Sequence, residues 1–184
     1  MRVKLDFDNC YEIDEISVDL RQTVFTTTLA DATNKPLHVQ ISNEAHDLIP
    51  NLFNLAFGPL DKKGRIDDKA ELQHANYSKV FSTILLSALT YLTQNPNHYL
   101  GIDGSSEARA YLYYRFIQLN YKYLNTHFNL YGLKYYVRIS RFGKMQYDNP
   151  FDFDDIHPEP CLIKESVALT GDNLYNYFVF SLKK

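Results

Sequence analysis

The side chains best placed to do chemistry lie where a short apolar run meets a Tyr- and Arg-rich segment, YLGIDGSSEARAYLYYRF at 99–116. Gly104, Ser105 and Ser106 form the turn, and Arg109 stands one helical turn further on. A helix start leaves backbone N–H groups unpaired, so these residues could hold a phosphate or carboxylate, with the serine hydroxyls and the guanidinium closing on it. They also have a purely structural reading. Ser105 then caps the helix, Glu107 complements the first-turn dipole, and Arg109 pairs with an acid of the chain. On a helical wheel Arg109 falls beside Leu112, Tyr113 and Phe116, where an unpaired charge would be costly. Glu107 would repel an anion, which weighs towards the structural reading.

Two further groups carry possible chemistry. Tyr111, Tyr114, Arg115 and Tyr121, with Lys122, mark faces of the same predicted helix. Tyrosine and arginine are typical anchors of protein interfaces, and aromatics among basic residues can also stack nucleobases. Asp152, Asp154, Asp155 and His157 offer hard ligands for a divalent cation, and in an extended segment Asp152 and Asp154 face one way. The bland reading is a solvated acidic loop, and it is preferred here. Asp67 and Asp68 read as loop charge or cap groups. No Gly-x-Ser-x-Gly elbow, His-Glu-x-x-His pair or Walker-type loop occurs, and the six histidines are scattered, so no catalytic residue or metal set is assigned.

The elements that must position these residues follow from hydrophobic periodicity. Val3, Leu5 and Phe7 alternate, 24–29 (VFTTTL) is β-branched, and Leu37, Val39 and Ile41 alternate after a turn signal. With 52–57 they predict an N-terminal antiparallel meander, with a helical turn near 42–48. A charged stretch, 61–75, precedes a helix at about 77–93 with Asn76 as N-cap and a stripe of Val80, Ile84, Ala88 and Tyr91. The other side of that helix is Ser and Thr, which predicts that both faces are covered. Residues 99–102 read as a strand. A second helix is predicted at 106–126, its apolar face being Leu112, Phe116, Leu119 and Tyr123. Strands follow at 134–140 and 175–182, separated by 143–160, an acidic loop holding three of the seven prolines. The fold class is therefore α+β: a mainly antiparallel sheet, the meander plus later strands, with two main helices packed on it as one domain over 1–184.

Composition narrows the function classes. Tyr 15 and Phe 12 with no Trp suit a wet interface or a partly exposed core rim. A formal charge of −3 lacks the Lys/Arg surplus that phosphate neutralisation needs, so nucleic acid is not the expected partner. Cys10 and Cys161 have no metal-ligand spacing and read as reduced thiols. The chain start lacks a signal-peptide core, and Ser, Thr, Asn and Pro interrupt the uncharged run 80–102, which predicts a buried helix rather than a membrane span.

Asn54–Gly58 (NLAFG), Arg65–Asp68 (RIDD), the N-x-x-KVFSTI of Asn76–Ile84 and the GSSEARAYLYYR of Gly104–Arg115 occur in that order. Together they resemble an uncharacterised Bacteroidota family, a domain of unknown function, over roughly residues 50–132. The resemblance implies a shared fold and brings no reaction, substrate or catalytic residue. It also implies a Trp-Glu stretch in the tail, where this chain has no Trp. A weaker likeness is to the acetyltransferases that bind acyl-coenzyme A, carried by a meander followed by helix, strand and helix, and by Leu112-Tyr113. The Gly-rich turn that cradles the pyrophosphate in that class is missing at Asn76-Tyr77-Ser78-Lys79.

The expectation is a cytoplasmic protein-interaction or regulatory module with a protein partner, a second copy of the chain being one option. A two-gene toxin–antitoxin or phage-defence pair is the setting imagined for it. No cofactor is expected on that reading. The alternative is a degenerate acyltransferase-like small transferase that holds coenzyme A or a nucleotide near Gly104–Arg109.

Overall fold

The computed structural model describes residues 3–68, 70–104, 106–139, 151–167, 175 and 177–184. Eight strands build one sheet: β1 (Ile13–Ile16), β2 (Gln22–Thr28), β3 (Asn34–Ala45), β4 (Leu52–Gly58), β5 (Tyr99–Asp103), β6 (Phe128–Ile139), β7 (Phe151–Leu162) and β8 (Tyr177–Leu182). Helix α1 (Tyr77–Gln94) links β4 to β5, and α2 (Glu107–Leu119) and α3 (Tyr121–His127) link β5 to β6. The spatial order is β1-β2-β3-β4-β5-β8-β6-β7. Every neighbouring pair is antiparallel except β4 and β5, which run parallel because the α1 crossover joins them. The expected α+β class is the observed one.

Period-2 alternation assigns the two faces. Phe53 and Leu55 of β4, Leu100 of β5, and Phe178 and Phe180 of β8 point to the helices and join Val80, Ile84, Ala88, Tyr91, Ile117 and Leu124 in the main core. Leu52, Leu133, Tyr177 and Val179 form a smaller cluster on the other, helix-free face.

Helix α1 starts where expected, its first turn capped by Asn76, whose Oδ1 accepts from Lys79 N–H at 3.0 Å. Its Ser/Thr side is covered at Ser82 and Thr83, whereas Thr90 and Thr93 are exposed. The N-terminal segment, expected as a strand through Val3, Leu5 and Phe7, instead lies extended across α1 and α3 without joining the sheet. Asp6 N–H donates to Ser82 Oγ and Tyr11 N–H to Thr83 Oγ1, both at 2.9 Å, and Leu5 N–H donates to Asn120 Oδ1 at 2.9 Å. Hydroxyls on α1 and the Asn120 amide thus replace the ladder partners that a strand would have had.

Four further expectations need correction. The second helix is not continuous over 106–126: it stops at Leu119 and restarts as α3, around a buried Asn120 whose side-chain amide donates to Val3 O and Phe116 O. Its buried side is Ala110, Tyr114 and Ile117, whereas Leu112 and Leu119, predicted to be core, are exposed. Finally, residues 151–160 are not a loop but most of β7, the edge strand; the remainder of the predicted loop, 143–150, lies outside the described residues. Proline is tolerated at a sheet edge because its missing N–H can face away from the ladder. Pro158 and Pro160 sit opposite Tyr135 and Leu133 there. The predicted helical turn near 42–48 is the end of β3 through Ala45 followed by a turn.

Candidate functional site

Strands β4 and β5 pair at only three positions, Leu52–Tyr99, Phe53–Leu100 and Asn54–Gly101. Beyond these they separate. β4 continues to Gly58 bonded to β3 alone, and β5 continues to Asp103 bonded to β8 alone. Two strand edges therefore face each other across a gap at the carboxyl ends of a parallel pair, the place where open sheets with a helical crossover commonly take ligands. The gap is small, about 40 Å³, and is lined by Asn54, Ala56, Phe57, Asp68, Asp103 and Tyr113.

Each of these side chains has a definite support. At the vertex, Gly101 leaves room for the Tyr177 ring, which any larger residue would strike, and the Tyr177 hydroxyl donates to Asn54 Oδ1 at 3.1 Å. Gly58 ends β4 where a side chain would collide with the Asp67 carbonyl, so the β4–α1 connection can fold back. Asp67 N–H bonds to Pro59 O at 2.8 Å, and Ala75 N–H to Thr28 O at 2.9 Å, fastening that connection at both ends. His74 lies on it half-buried, with Nδ1 3.2 Å from Thr27 Oγ1, and burial holds its pKa below the ordinary value. The connection brings Asp68 across the mouth of the gap to Arg109. Nη1 meets Asp68 Oδ2 at 3.3 Å, and Nη2 donates to Asp68 O at 3.0 Å. Burial raises the Asp103 carboxyl above its usual range, with Arg109 opposing the shift, and burial likewise raises Tyr113 and Tyr177.

Of the residues read as an anion grip, Arg109 is thus engaged by Asp68. Gly104 is buried, its Cα packed so that an added Cβ would meet Ala110 Cα at 3.2 Å. Ser106, rather than Ser105, is the N-cap of α2, accepting from Arg109 N–H at 3.3 Å; Ser105 lies outside the described residues. Of the residues read as a contact surface, Tyr111 and Arg115 are exposed. Tyr114 is not available: it is 4% exposed, and its hydroxyl donates to Val167 O at 2.8 Å. Tyr121 sits on α3, half-buried against the core.

At 100° per residue, Ala108, Tyr111, Leu112, Arg115 and Leu119 fall within one third of the α2 surface. All five are exposed, Tyr111 at 48%, Leu112 at 60% and Leu119 at 47%. The outer face of α2 is therefore apolar around a single guanidinium, while its inner face is apolar too. A helix apolar on both sides is normally covered on both.

A family model described as a family of unknown function, DUF6934, matches residues 18–151, more than half of the chain. The chain belongs to this family. No curated protein and no solved structure matches it. Residues of the NLAFG strand, Asp68 and Tyr113 of α2 line the β4–β5 gap together.

On the acidic strand, Asp155 meets Arg138 Nη1 at 3.3 Å and His157 Nε2 at 2.7 Å. Among the described residues no three His, Cys, Asp or Glu side chains converge as a metal site, and no helix is long and apolar enough to cross a membrane. Asn54, Asp103, Tyr113 and Tyr177 were missed as site candidates in the sequence. Only the Asn-x-x-x-Gly run that ends β4 hinted at them, since their convergence depends on where two parallel strands stop pairing.

Proposed function

We propose that this protein is an interaction module that docks a protein partner on the outer face of α2. The observation that carries the reading is the exposed apolar arc of Tyr111, Leu112 and Leu119 around Arg115. Fully burying a leucine gains about 1.5–3 kcal/mol, and tyrosine and arginine are typical interface anchors, so this arc suits a docking surface. The double substitution Leu112→Glu, Leu119→Glu alters only solvent-facing side chains. It is expected to weaken partner binding more than tenfold while leaving the thermal midpoint nearly unchanged, as read by calorimetric titration and circular dichroism. Unchanged binding by the folded variant would sink the reading. A second copy of the chain as the partner would appear as a dimer in sedimentation velocity.

The β4–β5 gap favours a second reading, a degenerate acyltransferase-like protein. Two unpaired strand edges can hydrogen-bond an extended amide-bearing arm, and Tyr113 at the gap could hand a proton to a leaving group. The phosphate grip of that class has no counterpart here: Asn76 caps α1, and Arg109 is held by Asp68. Acetyl-coenzyme A is therefore expected to raise the melting temperature only when Asp68→Ala frees Arg109. No shift in either protein excludes the reading.

A further inference from the structure

The helix-free face of the sheet carries a groove of about 500 Å³, within the range of small-molecule sites. Leu48, Leu52, Leu133 and Val179 line it with the rings of Tyr99 and Tyr131, and no charged side chain does. Leu48 and Tyr99 stay 42% and 39% exposed, so part of this apolar wall is left to solvent. A second cavity of about 630 Å³ shares Tyr99 and Tyr131 with the first. Its further lining is polar and includes Asn97, Asn129, Ser181, Lys183 and Lys184.

Strand register joins the two into one channel. β8 lies between β5 and β6, with Tyr99 opposite Ser181 and Tyr131 opposite Val179, so the two rings flank β8 from either side. Side chains two apart on a strand share a face, which puts Val179 and then Ser181 along the channel floor. Lys183 continues that alternation just past the strand end, its N–H donating to His127 O at 2.9 Å. Charge along the channel is one-sided. No Asp or Glu lines either cavity, in a chain of net charge −3. Lys183 Nζ donates to the neutral Asn125 carbonyl at 2.6 Å, and neither exposed lysine is in an ion pair among the described residues.

We propose that this channel binds a medium-chain carboxylate, its alkyl tail in the groove over Val179 and its head at Lys183 and Lys184. Apolar walls favour a hydrocarbon tail, and two ammonium groups with no carboxylate beside them select an anionic head over a cationic one. The strands that flank β8 stand about 10 Å apart, which suits one tail between the rings. This site is on the opposite face of the sheet from the helices and stands whether or not α2 docks a partner.

The test uses decanoate below its micelle concentration as probe, with decyltrimethylammonium as cationic counterpart and acetate as the head alone. Amide chemical shifts are mapped on the full chain. Saturable shifts at Tyr99, Val179, Ser181 and Lys183 with decanoate, and none there with either counterpart, are the expected result. The double substitution Lys183→Gln, Lys184→Gln alters only exposed side chains. It is expected to weaken decanoate about three- to tenfold and to leave the thermal midpoint of the free protein unchanged. The proposal is overturned by shifts elsewhere, by none up to the micelle concentration, by equal binding of decanoate and the cation, or by undiminished binding to the double variant. Sedimentation with phosphatidylglycerol vesicles in the absence of a decanoate site would overturn it in favour of a membrane surface, and a dimer covering this face in favour of a second copy of the chain.

Discussion

Arg109 shows how little a residue type says about its job until its partner is known. Beside an apolar stripe it had to pair, and the structure supplies Asp68 from the β4–α1 connection. The pair is partly open to solvent, with side chains 25% and 55% exposed, so its contribution is small. A double-mutant cycle of Arg109→Ala and Asp68→Ala in urea is expected to return a coupling of about 1 kcal/mol or less. Gly101 is a sharper case, because any side chain there strikes the Tyr177 ring at the vertex of the gap. Gly101→Ala should destabilise by about 1–3 kcal/mol in denaturant melts, whereas Gly64→Ala, with open space around its Cβ position, costs only its positive φ of 75°. His74 makes stability depend on pH. Burial lowers its pKa below 6.5, so the unfolded chain takes up its proton first as pH falls. The stabilisation is complete above about pH 6.5 and is lost below it; His98 shifts the same way. Urea midpoints between pH 7.5 and 5.5 should therefore fall with pH, and His74→Gln should flatten that slope.

At the scale of elements, what could be read from the chain was whatever obeys local rules. Asn76 caps α1 as its position foretold, and Asn76→Ala is expected to cost about 1 kcal/mol, measured by thermal unfolding. The stripe of Val80, Ile84, Ala88 and Tyr91 is buried as its spacing required. Hydrophobicity alone predicts α2 rotated, with Leu112 and Leu119 inside and Tyr114 outside. In fact Tyr114 is buried by virtue of a hydroxyl that finds the Val167 carbonyl, and the leucines stay out. The acidic 151–160 stretch looked like a loop because proline and charge usually signal one. Those same features keep an exposed edge strand from pairing with another chain. Neither outcome was visible without knowing the strand order, which puts β7 last in the sheet.

Over the whole molecule, contacts distant in sequence settle what local rules leave open. Residues 3–11 give up sheet pairing to satisfy the hydroxyl side of α1, a contact some 70 residues away in the chain. Thr83→Val would leave the Tyr11 N–H without its acceptor and should cost about 1–3 kcal/mol in denaturant melts. The gap between β4 and β5 is likewise a product of topology: a parallel pair that parts after three rungs. The two faces of the sheet then differ, one covered by three helices and the other carrying the smaller cluster of Leu52, Leu133, Tyr177 and Val179.

The central claim is that the outer face of α2 docks a protein. Its most direct test is native mass spectrometry of the chain purified gently from its own host, in parallel with Leu112→Glu, Leu119→Glu. The account predicts a stoichiometric second polypeptide on the unaltered chain and a bare, folded monomer for the variant. A bare monomer from both, or the same complex from both, would contradict it.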